Sequence, residues 1–314
     1  MRRALTILGV LFVLVPVSGA TLHWAATRRD LAAVPAPGRL VDIGGHRLHV
    51  WCTGDGVPTV IFESGLGGSS VGWGFVQPEV ARFARACSYD RAGLGYSDPG
   101  PSPRTARRSA RELRELLDRD AIREPVILVG ASFGGFIARV FASEYEERAA
   151  GLVLVDASHE DDDHKIPAFA PFVPLLSAIG AFRIMGLPFG FPSDALAPPV
   201  RAFARATDLR TAAHRAATSE IRHVHETVAE VRESRRELAM PIVVVSGRRS
   251  MDARWASLQR DQVTLSRRGC HVIAEQAGHV VALDEPAVVV EAIRRMVVYL
   301  VDGRSGRTPC EGTP

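Results

Sequence analysis

One serine stands between glycines in "VILVGASFGGF", residues 126–136, where an apolar run leads straight into Gly130-Ala131-Ser132-Phe133-Gly134. A serine hydroxyl is a weak nucleophile at neutral pH, so a chain that uses one must present it to a base. The Gly-x-Ser-x-Gly spacing also suits any plain strand-to-turn junction, because glycine takes positive φ at little cost. The flanks separate the two readings. Val126–Val129 reads as a buried strand and Phe136–Ala142 as a helix that follows at once. A serine on a sharp turn between a strand and a helix is a nucleophile elbow. Gly130 and Gly134 remove the side chains that would collide there.

Such a serine needs a base, a group that orients the base, and donors for the oxyanion. In "AEQAGHVVALDEP", His279 follows the last strand in a loop made by Ala277-Gly278. It also follows the serine in chain order. His23 lies in an apolar leader, His46 and His49 in an early hairpin, His214, His223 and His225 in a helical stretch, and His271 at a strand start. His159, after "LVLVD", is the rival.

The elements that must position these residues alternate. "RLVDIGGHRLHVWCTG" reads as two strands joined at Gly44-Gly45, and "TVIFESG" as a buried strand before the loop "LGGSS". "PEVARFARA" is a short helix, "CSYD" a strand, and residues 104–120 a charged surface helix with Leu113, Leu116 and Leu117 on one stripe. "GLVLVDAS", "MPIVVVSG" and "CHVIAEQAG" are further strands, and "AVVVEAIRRMVVYLV" a closing amphipathic helix. Apolar runs this continuous, alternating with helices, predict a largely parallel sheet covered on both faces. Residues 160–239 break the rhythm. They open on "EDDDH" just after His159, then carry Phe169, Phe172, Phe182, Phe189 and Phe191, then helical "TSEIRHVHETVAEVRESRREL", and read as a cap between two core strands. The phenylalanines either fill the underside of that cap or line an acyl pocket or touch a membrane.

With "GASFG" at 130–134, "YDRAGLGYSDPG" at 89–100 and "AGHVVALDEP" at 277–286, the chain resembles the α/β-hydrolase superfamily over roughly residues 40–300. The resemblance implies an eight-stranded, mostly parallel sheet flanked by helices, a helical cap between strands 6 and 7, and the chain order nucleophile, acid, histidine. It implies that the backbone N–H groups of Phe133 and Leu66 form the oxyanion hole, although "ESGLGG" lacks the histidine many relatives carry. It leaves two candidate acids, Asp156 after the sixth strand and Asp252 near the end of the seventh; Glu160 is a lesser alternative. Asp252 has a competing role as the cap of the helix that follows. The resemblance also sets strand 2 beside strand 4, which implies a Cys52–Cys87 disulfide; Cys270 with Cys310 is the weaker pairing. Relatives that open epoxides or remove halides use aspartate at the nucleophile position, and this chain has Ser132.

The 314 residues carry a net charge of +3, too small to argue for a nucleic-acid partner. Behind Met1-Arg2-Arg3, residues 4–27 are uncharged, long enough to span a bilayer and closed by Arg28-Arg29. Ser18-Gly19-Ala20 would serve a signal peptidase instead. Both readings put the remainder outside the cytoplasm, either tethered through the bilayer or secreted, where four cysteines can pair. The expected organisation is therefore an anchor or signal at 1–29, a linker at 30–39, a core at 40–159 and 240–302, the cap at 160–239 and a tail at 303–314. The expected activity is cofactor-free, metal-free hydrolysis of carboxylic esters with small or medium apolar acyl groups, through an acyl-enzyme. Short-peptide or amide hydrolysis and a non-catalytic binding protein of this fold are the alternatives.

Overall fold

The computed structural model describes residues 2–186, 198–303 and 308–311; Phe189, Phe191 and part of the expected tail lie outside them. Eight strands form one sheet: β1 (Arg39–Asp42), β2 (Arg47–Thr53), β3 (Val60–Glu63), β4 (Ala86–Tyr89), β5 (Val126–Ala131), β6 (Ala149–Val155), β7 (Ile242–Gly247) and β8 (Gly269–Ala274). Their order is β1-β2-β4-β3-β5-β6-β7-β8. β2 runs antiparallel to β1 and β4, and every other pair is parallel.

The continuous apolar runs divide by the two-residue period of a strand. Ile61, Val126, Leu128, Leu152, Leu154, Ile242 and Val244 face one core. Val60, Phe62, Ile127, Val129, Val153, Val155, Val243 and Val245 face the other. Helices α3 (Ala106–Arg119) and α4 (Phe133–Glu144) cover the first face, with Leu113, Leu116 and Leu117 as the buried stripe of α3. Helices α2 (Gln77–Val80) and α12 (Pro286–Val301) cover the second, α12 through Val289, Ala292, Ile293 and Met296. α10 (Ala253–Val263) and α11 (Val281–Asp284) complete the core.

Between β6 and β7 lies the helical insertion: α5 (Val173–Ala178), α6 (Ala181–Met185), α7 (Pro198–Asp208), α8 (Thr211–Arg222) and α9 (Val224–Glu233). Its last helix packs on the core, where Val228 and Val231 join the α3–α4 cluster and Thr227 Oγ1 accepts the Ala106 N–H at 3.1 Å. Leading the chain is α1 (Arg2–Ala33), which runs into the segment expected as linker and stops just short of Pro35. A proline disfavours helical backbone in the residue before it, although α1 accommodates Pro16 in its interior. The C-terminal half of α1 meets the insertion: Arg183 Nη1 pairs with Asp30 at 2.7 Å, and His23 Nε2 lies 3.1 Å from Thr211 Oγ1. α1 is the one helix among the described residues long and apolar enough to cross a membrane. Cys52 and Cys87 sit opposite each other on β2 and β4 and are joined, with Cα atoms 4.0 Å apart; Cys270 and Cys310 are joined at 6.1 Å.

Candidate active site

Parallel strands share one carboxyl edge, and the loops leaving that edge of β3, β5, β6, β7 and β8 meet there. Ser132 leaves β5 with φ 49° and ψ −122°, a left-handed region that costs a non-glycine residue energy. Close packing holds it. A Cβ on Gly130 would stand 2.7 Å from the Gly134 carbonyl oxygen, and one on Gly134 would stand 2.4 Å from the Glu63 carbonyl oxygen. The turn can tighten only where both are bare. The Ser132 N–H donates to Val155 at 3.2 Å, and its carbonyl accepts from Ser158 at 3.0 Å, so β6 braces the elbow.

His279 Nε2 lies 2.9 Å from Ser132 Oγ, and its Nδ1 lies 2.7 Å from Asp156 Oδ2. Asp156 is wholly buried, and φ 42° turns it at the end of β6 toward the neighbouring strand. Its Oδ1 accepts the Gly247 N–H at 3.2 Å and the Trp255 indole N–H at 3.0 Å, while Ser250 Oγ donates to Oδ2 at 3.4 Å. Both oxygens of the buried carboxylate thus have hydrogen-bond partners. Asp252, the other candidate, is the N-cap of α10 and accepts the Trp255 backbone N–H at 2.7 Å. It thereby fixes the helix whose tryptophan reaches Asp156. His159 is buried and engaged elsewhere, 2.8 Å from Asp261. Glu160 takes a bidentate pair from Arg139 at 2.6 and 2.7 Å. Burial alone would raise the Glu160 carboxyl, but Arg139 outweighs it and holds the group well below the usual range.

The loop after β3 brings Gly65 against the elbow: a Cβ there would be 3.4 Å from Ser132 Cβ. Among the described residues, no acceptor takes the backbone N–H of Leu66 or of Phe133. Beneath the loop Arg91 is buried between Glu63, at 2.6 Å, and Glu220, at 2.8 Å. Burial raises the Glu63 carboxyl, against the pull of Arg91 and a hydrogen bond from the Tyr89 hydroxyl. A cavity of about 240 Å³ opens at the serine, lined by Leu66, Trp73, Ser132, Val155, His279 and Val281 among others. It is smaller than the ~300–1,000 Å³ usual for ligand pockets.

The sequence does not single out Trp255, Gly247, Arg91 or Glu220. Arg91 lies inside "YDRAGLGYSDPG", one of the motifs that carry the resemblance; Glu220, on an alternately polar helix, carries no local signal.

Residues 60–292 match the model of the alpha/beta hydrolase family. The AB hydrolase superfamily protein of Gibberella zeae is 26% identical over 278 residues, covering 76% of this chain and 86% of that protein. The probable transporter efuK of Hormonema carpetanum is 35% identical over 140 residues, 42% of this chain and 20% of that protein. The chain thus spans about a fifth to two fifths of the length of several curated relatives. An esterase from Thermogutta terrifontis superposes with a TM-score of 0.65 at 22% identity, covering 84% of this chain and 99% of its own, which is likeness of fold. The family match extends from β3 into α12 and takes in every residue of the serine, histidine and aspartate cluster, and the chain therefore belongs to the alpha/beta hydrolase family.

Proposed function

We propose that this hydrolase cleaves carboxylic esters of small apolar acids through an acyl-enzyme on Ser132. The observation that carries the reading is the chain of contacts from Ser132 Oγ to His279 Nε2 at 2.9 Å and from His279 Nδ1 to Asp156 at 2.7 Å. His279 accepts the Ser132 proton as Oγ bonds to the ester carbonyl carbon, and Asp156 stabilises the imidazolium that forms. The Phe133 and Leu66 N–H groups receive the oxyanion. The tetrahedral adduct then collapses, the carbon–oxygen bond to the alcohol breaks, and His279 returns the proton to the leaving alkoxide. Water, deprotonated by the same histidine, releases the acid and restores Ser132. Losing one oxyanion donor of this kind costs about 10²–10³ in rate.

The small apolar cavity favours short acyl chains. The acidic run does not favour a peptide-amine site, since Asp161 pairs with Arg232 at 3.0 Å, Asp163 with Lys165 at 2.9 Å, and none of it lines the cavity. In this reading residues 160–239 are the cap. The apolar stretch within residues 4–27, ahead of the contact His23 makes with the insertion, is its bilayer anchor, with the catalytic part outside the cytoplasm. The test is hydrolysis of p-nitrophenyl esters of increasing acyl length by the full chain, beside Ser132→Ala. Activity greatest at short chains and lost in the variant is expected. Equal turnover by Ser132→Ala, or none by the wild type on any ester, would overturn the proposal.

A further inference from the structure

We propose that Glu220, carried by α8 of the insertion, is a positioning residue that holds the loop bearing the Leu66 N–H; the inference rests on the ester-hydrolase reading above. Glu220 is wholly buried, and its Oε2 accepts the Gly67 N–H at 2.7 Å. The same carboxylate binds Arg91, with Nε at 2.8 Å and Nη2 at 3.0 Å. Arg91 spends its other donors on Glu63 Oε1 at 2.6 Å, the Ser64 carbonyl at 2.7 Å and the Gly65 carbonyl at 2.8 Å. The guanidinium has five N–H groups in a fixed fork, and all five are used.

The backbone on both sides of Leu66 is therefore held: Ser64 and Gly65 through Arg91, and Gly67 through Glu220. The last of these sits at φ 63°, so the turn that exposes the Leu66 N–H is one glycine makes readily. Packing does not require charges here. Apolar residues of similar volume often stabilise a buried site as well as an ion cluster does. What charges supply is direction, since a charge-assisted bond to a backbone group fixes its place more narrowly than apolar contact. Oxyanion stabilisation depends on that placement, and a misplacement of about 1 Å can cost about 10²-fold. Because Glu220 belongs to the insertion and Gly67 to the loop after β3, displacing α8 would break buried charged bonds and release the oxyanion loop. The insertion thus helps to complete the site as well as covering it.

The experiment compares the full-length wild type with Glu220→Leu and Glu220→Gln on p-nitrophenyl acetate. It adds inhibition by an alkyl trifluoromethyl ketone, whose tetrahedral adduct with serine presents an oxyanion. The leucine variant should lose about 10–100-fold in kcat, with KM within about threefold, and the ketone's inhibition constant should rise in step with the fall in kcat/KM. Glutamine still offers an oxygen to the Gly67 N–H and Arg91 Nη2, but its NH₂ then meets the Arg91 Nε–H, so it should recover only part of the loss. Wild-type kcat in Glu220→Leu, or a loss of kcat with ketone inhibition unchanged, overturns the inference. Should the leucine variant fail to fold, Arg91→Lys decides, since it keeps the charge and loses the fork. It must show the same loss of kcat and ketone affinity, and wild-type values for both sink the idea. An inert wild type would instead sink the ester-hydrolase reading, which Ser132→Ala tests separately.

Discussion

Replacing Asp156 with asparagine tests the proposed relay most directly. Asparagine tolerates φ near 42°, so the backbone at the end of β6 has no reason to move. The amide cannot choose its orientation freely. Two donors, the Gly247 N–H at 3.2 Å and the Trp255 indole at 3.0 Å, address Oδ1 and require an oxygen there. The NH₂ group must then replace Oδ2, 2.7 Å from His279 Nδ1. A donor facing Nδ1 forces that nitrogen to accept and moves the ring proton to Nε2, which faces Ser132 Oγ. His279 can then no longer take the serine proton. The expected loss is about 10⁴ in kcat, the magnitude typical of a wrong-tautomer histidine, or about 5 kcal/mol of transition-state stabilisation. Asp252→Asn is the matched control. Asparagine caps a helix about as well as aspartate, so α10 should keep its cap, with a stability change of about 0.5 kcal/mol or less and kcat within a few-fold. The assay is kcat on p-nitrophenyl acetate with thermal unfolding alongside. A fully folded Asp156→Asn enzyme within tenfold of wild type would refute the reasoning, as would an equal loss in Asp252→Asn.

Gly134→Ala places a methyl group 2.4 Å from the Glu63 carbonyl oxygen and 2.6 Å from that of Ser64, both main-chain atoms that cannot swing aside. Denaturant unfolding should show a loss of about 1–3 kcal/mol or more, with activity falling as the elbow shifts; unchanged stability would contradict the packing described. His49 and Asp90 form a wholly buried pair at 2.7 Å, with Tyr96, Asp208 and Arg210 as the charged or titratable neighbours of that pair. Burial opposes charge on His49, but Asp90 and the Pro37 carbonyl outweigh it and raise the imidazole above its ordinary value. A raised histidine contributes its full stabilisation below about pH 6.5 and loses it as pH rises through the folded-state value. The gap in unfolding temperature between wild type and His49→Asn should therefore be wider at pH 5 than at pH 9, and a gap independent of pH would refute the assignment.

Much of this protein is legible without coordinates because its signals are local. The run Val126–Val129, the bare positions 130 and 134 and the apolar face of Phe136–Ala142 specify a strand, a tight turn and a helix from short-range sterics alone. The serine's identity and the strand count follow from such patterns, and His279 follows from its place after the last strand. Other features depend on which elements become neighbours. Asp156 and Asp252 both stand near strand ends, and no periodicity distinguishes them. The distinction arises because β6 pairs with β7, so that the turn at Asp156 faces Gly247 and the His279 loop while Asp252 closes α10. Glu220 is less legible still. Its burial comes from α8 meeting Arg91 across 129 positions of chain. A buried carboxylate is tolerable only beside a partner brought from that distance, and the tertiary structure alone supplies the partner.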